Sequence, residues 1–166
     1  MLSRHGARLS VGVMRFGYVS VEGGGMSSLE RAILLATRAH AGQLDKGGAD
    51  YILHPLRVMA RVSTPEQRIV AVLHDVLEDT SVTLSDLARE GFPLKILAAL
   101  LALSRRENER YEDFVVRLGS DPLAREVKLA DLADNSDLSR LVCPGPVDMA
   151  RLSRYREASA YLQALA

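Results

Sequence analysis

The sequence predicts an all-α fold whose helices pack into one compact bundle. Three observations support this prediction. Apolar residues recur at helical spacing from Ser27 onward, and no segment alternates apolar and polar residues with a period of two. Two segments, Thr64-Pro65 and Asp121-Pro122, place a capping side chain directly before a proline, which is typical of a helix start. Neither a repeat nor a long linker divides the chain.

The helices are predicted in order from capping residues, prolines and the first residues of apolar segments. Their expected starts are Ser28, Pro55, Pro65, Leu84, Pro93, Tyr111, Pro122 and Pro146. Ile33, Leu34, Ala36, Thr37 and Ala39 form the expected apolar stripe of the first helix. The helix from Pro122 is expected to reach about Leu138, and the last helix to end near Leu165.

Two predicted helices are unusually apolar. A capping box from Thr64 to Gln67 starts one of them, which runs through Leu73 and Leu77 and is apolar on most sides, so it should be central. The other, residues 94–103, can supply either core or an interface, and a homo-oligomer is therefore a possible assembly.

Composition excludes several classes of function. The chain has 166 residues, with 21 Lys plus Arg and 21 Asp plus Glu. It therefore lacks the net positive charge of proteins that bind nucleic acid by neutralising its phosphates. It has no apolar run long enough to span a membrane. The single cysteine, Cys143, allows no internal disulfide, and a cytoplasmic location is expected. Residues 1–25 are interpreted as a disordered leader and residues 26–166 as one domain.

Candidate chemistry begins with His74 and Asp75 in the central apolar segment. Burying charge there is costly unless it is paired or bound to a cation. On one continuous helix, Glu78 would lie beside His74 and Asp79 beside Asp75. Imidazole and carboxylate ligands together suit Mn, Fe or Zn. The alternative is that the two later acids simply end the helix in solvent and that the histidine is a hydrogen-bonded core residue.

A second group of residues strengthens the metal interpretation. Asp131 falls among Val127, Leu129 and Leu132, and Asn135 follows one turn later on the same face. Taken alone, Asp131 would more often be an exposed helix residue. His54, which precedes a proline, is likewise weak evidence for a metal site in isolation.

Together these residues give the order His, His-Asp, Asp, which resembles the HD phosphohydrolase superfamily. The surrounding motifs are HAGQ (40–43), YILHP (51–55), LHDVLEDT (73–80) and VKLAD (127–131). They closely resemble the hydrolase domain of RelA/SpoT-type alarmone enzymes of the stringent response and their small stand-alone relatives. The resemblance covers about residues 27–165 and implies an HD-domain helical bundle.

The resemblance also implies residue roles. A metal, usually Mn²⁺ although other divalent transition metals are possible, would be held by His54, His74, Asp75 and Asp131. The pair Glu78 and Asp79 would handle the attacking water. Lys46, Tyr51 and Asn135 would bind the substrate, whereas His40 is interpreted as a residue that fixes its loop.

The implied reaction is removal of the 3′ pyrophosphate of (p)ppGpp, giving GDP or GTP. Two residues depart from the resembled family. Asp45 stands where that family has an arginine that packs on the guanine base, and Asp50 stands where it has a proline. The same chemistry on another nucleotide, such as NADPH, is therefore an alternative. A catalytically inactive alarmone sensor is a third hypothesis, against which Glu78 and Asp79 argue because a sensor does not need them.

Overall fold

A computed structural model describes residues 28–140 and 145–165 of the chain. In this part, nine α-helices follow one another, and no strand is present apart from one isolated bridge between Leu44 and Asp50. The helices are α1 Ser28–Ala39, α2 Leu53–Ala60, α3 Pro65–Leu73, α4 Val76–Asp79, α5 Leu84–Arg89, α6 Leu94–Leu103, α7 Tyr111–Gly119, α8 Pro122–Asn135 and α9 Pro146–Gln163. The predicted all-α bundle is confirmed. The predicted leader lies outside the described residues, and the domain boundary stays a prediction.

Helix α8 is the centre of the bundle, since it packs against α2, α3, α6, α7 and α9. Its residues Val127 and Ala130 join the main core, formed with α1, α2, α3, α5 and α6. Leu132 of the same helix joins a smaller core with α7 and α9. A residue on α8 can therefore reach side chains from most of the fold.

The capping signals in the sequence start the helices as predicted. The Thr64 side chain accepts a hydrogen bond from the Gln67 backbone N–H, and the Gln67 side chain accepts one from the Thr64 N–H at 2.9 Å. Thr83 and Asp86 form a second capping box at α5. Asp121 accepts from the first backbone N–H groups of α8, Leu123 and Ala124, each at 2.9 Å.

Two helix ends differ from the sequence prediction. The central helix does not continue through His74 and Asp75, because α3 ends at Leu73 and a turn separates it from the short α4. Helix α8 ends at Asn135 rather than near Leu138, and a 3₁₀ turn follows at Leu138–Arg140.

The expected apolar stripe of α1 is also only partly right. Ala32 and Ala36 are fully buried, whereas Leu34 is 37% exposed and Thr37 is exposed. Leu34 stands two residues from each of these alanines and therefore lies on a different face of the helix.

Helix α6 supplies core and also an exposed apolar face. Ile96, Leu97 and Leu100 are buried, while Leu94 and Leu101 are 84% and 56% exposed. Within the described ranges, no helix combines the length and the apolar character needed to cross a bilayer.

Candidate metal centre

The four predicted metal ligands converge from three elements. His54 lies in the first turn of α2, His74 and Asp75 form the turn between α3 and α4, and Asp131 lies in α8. Ligand atoms of His54, His74 and Asp131 all lie within 4.8 Å of one another, and all three residues are buried. Asp75 contacts both rings: its Oδ2 is 3.0 Å from Nε2 of His74 and 3.6 Å from Nε2 of His54. We call these four residues the metal cluster.

Both imidazoles are oriented with Nε2 towards the cluster. Nδ1 of His54 lies 2.8 Å from a carboxylate oxygen of Asp134, and Nδ1 of His74 lies 2.7 Å from the backbone oxygen of Ala71. Both partners are acceptors, so each Nδ1 carries a hydrogen, and Nε2 is the atom of each ring that can offer a lone pair to a cation. Nε2 of His74 is buried and makes no hydrogen bond of acceptable geometry, although Asp75 lies beside it. Such an arrangement suits a cation.

Asp131 is a buried carboxylate, 3% exposed. Burial by itself raises the pKa of Asp131, but the Lys128 ammonium, 2.8 Å from Oδ2, and the two imidazoles hold this pKa well below its usual range. The amide of Asn135 donates to the other oxygen at 2.5 Å. The carboxylate therefore stays ionised, as a metal ligand must.

The charges of Asp75 and His74 reinforce each other. Burial opposes ionisation of Asp75, but the neighbouring His74 lowers the pKa of Asp75 to about 2. Burial likewise lowers the pKa of His74, but Asp75 and Asp131 outweigh it and raise this pKa well above its usual value. The site thus favours positive charge between its carboxylates, and a divalent cation on Nε2 would supply that charge in place of the proton.

The two acids of α4 occupy different surroundings. The Tyr51 hydroxyl lies 2.6 Å from Oδ2 of Asp75 and 3.2 Å from Oδ2 of Asp79, so it bridges the metal cluster and Asp79. Glu78 is exposed and accepts a hydrogen bond from the backbone N–H of Arg105, in the loop after α6. The break after α3 explains this difference, because it removes the helical register that would have placed Glu78 beside the metal cluster.

His40 braces the loop around this site and does not join the metal cluster. Its Nδ1 lies 2.8 Å from Oε1 of Gln43, whose amide donates to the backbone oxygen of Asp79 at 2.9 Å. Its ring also lies against Tyr51, with centroids 4.9 Å apart. The structure agrees with the interpretation of His40 as a residue that fixes its loop.

A cavity of about 360 Å³ opens beside the metal cluster. The predicted substrate residues Lys46, Tyr51 and Asn135 all line it. Sequence reasoning missed its other wall, where α9 contributes Asp148, Arg151 and Tyr155. The spacing of the last two by four residues places them on one helix face, but an arginine and a tyrosine at that spacing are too common to indicate a site.

Asp45 also lines the cavity and shapes the loop that forms one of its edges. Its Oδ1 accepts hydrogen bonds from the backbone N–H groups of Gly47 at 2.8 Å and Ala49 at 3.0 Å. Nζ of the adjacent Lys46 lies 3.8 Å from Oδ1 of Asp148 on α9. The aspartate therefore helps to determine where Lys46 stands.

Known proteins resemble the chain in both sequence and fold. It is 32% identical over 127 residues, 69% of its length, to a GTP pyrophosphokinase of Streptomyces coelicolor. Over 119 residues it is 29% identical to a guanosine-3′,5′-bis(diphosphate) 3′-pyrophosphohydrolase of Aquifex aeolicus. Over 89 residues it is 32% identical to the bifunctional (p)ppGpp synthase/hydrolase SpoT of Escherichia coli. No family model matches the chain.

A solved structure of a metazoan SpoT ortholog, described as hydrolysing ppGpp, has a TM-score of 0.69. The match covers 84% of this chain and 87% of that one at 17% identity, so it shows a common fold. The resemblance to RelA/SpoT-type hydrolases that the motifs predicted is therefore confirmed. The chain spans only 15% and 17% of the lengths of the Streptomyces and Aquifex relatives.

The geometry predicts that a divalent metal stabilises the folded protein. At a free metal concentration one hundred times its Kd, the free energy of unfolding should rise by about 2.7 kcal/mol, because the four ligands converge only when the chain is folded. Denaturant titration of metal-free protein with and without MnCl₂ or ZnCl₂ measures this increment. Asp131→Asn should abolish it, whereas Asp113→Asn, on the exposed side of α7, should retain it. An unchanged wild-type stability at millimolar metal would contradict a metal centre.

Proposed function

We propose that this chain is a metal-dependent phosphohydrolase that removes pyrophosphate from the 3′ position of (p)ppGpp. The observation that carries the proposal is the metal cluster itself, two imidazoles and two ionised carboxylates, at the wall of a cavity that is also lined by cationic side chains. The names of the Aquifex and Escherichia coli relatives support the substrate.

The metal that we propose is Mn²⁺, held by His54, His74, Asp75 and Asp131. When bound, such an ion polarises a phosphoryl oxygen and lowers the pKa of water. The ligand types also suit Fe, Zn or Ni, and the choice of Mn²⁺ depends on the resemblance rather than on the donor set.

The pair Glu78 and Asp79 is assigned to the attacking water. Asp79 lies nearer the metal cluster, since Tyr51 bridges its carboxylate to Asp75. Asp79 is therefore the residue that we expect to orient water and accept its proton. Glu78 would have to leave the Arg105 N–H to take part, and its present contact instead holds the loop after α6 against α4.

The cations in the cavity define how a nucleotide would lie. Lys128 stands next to the metal cluster, while Lys46 and Arg151 line the same cavity from a loop and from α9. A substrate that carries several phosphate groups would match these positive charges. Asn135 and the Tyr155 ring are then available for the polar and flat parts of the nucleoside.

A second candidate is the same chemistry on another nucleotide, such as removal of a phosphate from NADPH. Asp45 is the observation that favours it, because this carboxylate stands at the cavity edge where the resembled hydrolases have an arginine that packs on guanine. With either substrate we propose a cytoplasmic enzyme, in keeping with a sequence that has a single cysteine.

The first test is a direct assay. Purified protein with Mn²⁺ should convert ppGpp to GDP and pyrophosphate, and Asp131→Asn should lower kcat by at least about a hundredfold, since loss of the ion removes several kcal/mol of transition-state stabilisation. Asp113→Asn serves as the matched control. Failure to release pyrophosphate from ppGpp, at enzyme levels that hydrolyse another nucleotide, would exclude the first candidate and leave the second.

Substitutions at position 45 separate the two candidates. If the carboxylate disfavours guanine, Asp45→Arg should raise kcat/KM for ppGpp by about tenfold relative to NADPH, because it exchanges repulsion for a stacking cation. Asp45→Asn is the matched control, since its side-chain oxygen can still accept from the loop N–H groups after the charge is removed. Equal changes on both substrates would indicate that position 45 does not select the base.

Tyr51→Phe tests whether the Tyr51 hydroxyl contacts the substrate or positions the acids. From its hydrogen bonds to Asp75 and Asp79 we expect kcat to fall about tenfold with little change in KM. If the hydroxyl binds the substrate instead, its removal should raise KM. Tyr161→Phe, on the exposed face of α9, controls for loss of a tyrosine hydroxyl.

A further inference from the structure

Asp134 is the most deeply buried acid in the described part of the chain, with 1% exposure. Its carboxylate contacts α2 through three residues. Nδ1 of His54 lies 2.8 Å from Oδ2, the Arg57 guanidinium donates through Nε at 3.0 Å and through Nη2 at 3.1 Å, and Arg61 approaches to 3.6 Å. The acid therefore joins α8 to the helix that carries the first metal-cluster histidine.

This carboxylate does not act at the reacting centre itself. It contacts Nδ1 of His54, whereas Asp75 and Asp131 approach Nε2 of the same ring. Its oxygens accept from Nε and Nη2 of Arg57 at 3.0 and 3.1 Å, the paired contacts that an ionised carboxylate makes with a guanidinium. A buried anion behind a histidine ring can act on the metal cluster only through that ring.

The two histidines of the metal cluster are consequently supported in different ways. Nδ1 of His74 donates to the neutral backbone oxygen of Ala71, whereas Nδ1 of His54 donates to the charged carboxylate of Asp134. A carboxylate behind an imidazole fixes its tautomer and ring orientation and strengthens Nε2 as a ligand. Arg57, with a forked pair of hydrogen bonds to the same carboxylate, fixes the acid in turn.

We propose that Asp134, held in place by Arg57, is a positioning residue that keeps His54 in the Nδ1–H tautomer and so sets the affinity of the metal cluster for its ion. The inference deepens the proposed function, since it rests on the metal centre. It assigns a role to a side chain that touches neither the ion nor the substrate.

The experiment compares the metal-free and metal-titrated forms of four variants with wild type. Mn²⁺ affinity is measured by calorimetry, and the tautomer of His54 by long-range ¹H–¹⁵N correlation spectra of the metal-free protein. Asp134→Ala should weaken Mn²⁺ binding by about 10- to 100-fold. It should also abolish the preference of His54 for a hydrogen on Nδ1, whereas the hydrogen on Nδ1 of His74 should remain. Arg57→Met should weaken binding less, because the carboxylate remains. Glu126→Ala, on the same helix but beside Val62 and Ala133 away from the cavity, should match wild type.

Asp134→Asn provides a second test in case Asp134→Ala does not fold. An amide oxygen can still accept from Nδ1 of His54, so this variant should retain the tautomer and lose only about tenfold in affinity through loss of charge. Wild-type Mn²⁺ affinity and an unchanged His54 tautomer in folded Asp134→Ala would overturn the proposal. If the alanine variant does not fold, wild-type Mn²⁺ affinity in folded Asp134→Asn would overturn it. Absence of Mn²⁺ binding by the wild type would instead refute the metal centre on which it rests.

Discussion

Buried negative charge is the constraint on which the centre of this bundle depends. Asp131 and Asp134 lie on α8 with 3% and 1% exposure, and Asp75 lies against both imidazoles. A carboxylate in such surroundings costs several kcal/mol unless cations and hydrogen bonds compensate it. Lys128 compensates the first acid and Arg57 the second. Arg57 and His54 lie on α2, and His74 lies at the end of α3. The packing of these helices on α8 and the electrostatics of the site therefore stabilise each other.

The turn at His74 and Asp75 follows from the same constraint. If α3 continued without a break, these two residues would point in directions 100° apart, yet the structure brings Nε2 of His74 within 3.0 Å of Asp75 Oδ2. Ending α3 at Leu73 also releases the Ala71 carbonyl from the regular helical ladder, and the His74 ring donates to it. In the short α4 that follows, Asp79 accepts a hydrogen bond from the Tyr51 hydroxyl, whereas Glu78 accepts one from the Arg105 N–H.

The sequence predicts the parts of this structure that depend on local interactions. The cap of α8 at Asp121 could be recognised because its side chain bonds to the next few residues. The four candidate ligands could be predicted from their order and motifs, although the sequence does not give the distances between them. The turn after Leu73 could not be predicted, since no glycine or proline marks it. Asp134 was missed for a related reason: an acid near the end of a polar helix segment looks solvated until its partner Arg57, 77 residues earlier, is placed beside it.

The two walls of the cavity separate chemistry from substrate choice. The inner wall is the one beside the metal cluster. Its side chains lie on helices that pack in the core, which fixes their positions. The outer wall consists of the loop around Asp45 and Lys46 and one face of α9, and its shape depends on a few hydrogen bonds within that loop. A substitution at position 45 therefore changes a charge and also the loop conformation that sets the location of Lys46, 3.8 Å from Asp148. Because neither change reaches the buried side chains of the metal cluster, the proposed function places the choice of nucleotide at the outer wall and the hydrolytic chemistry at the inner one.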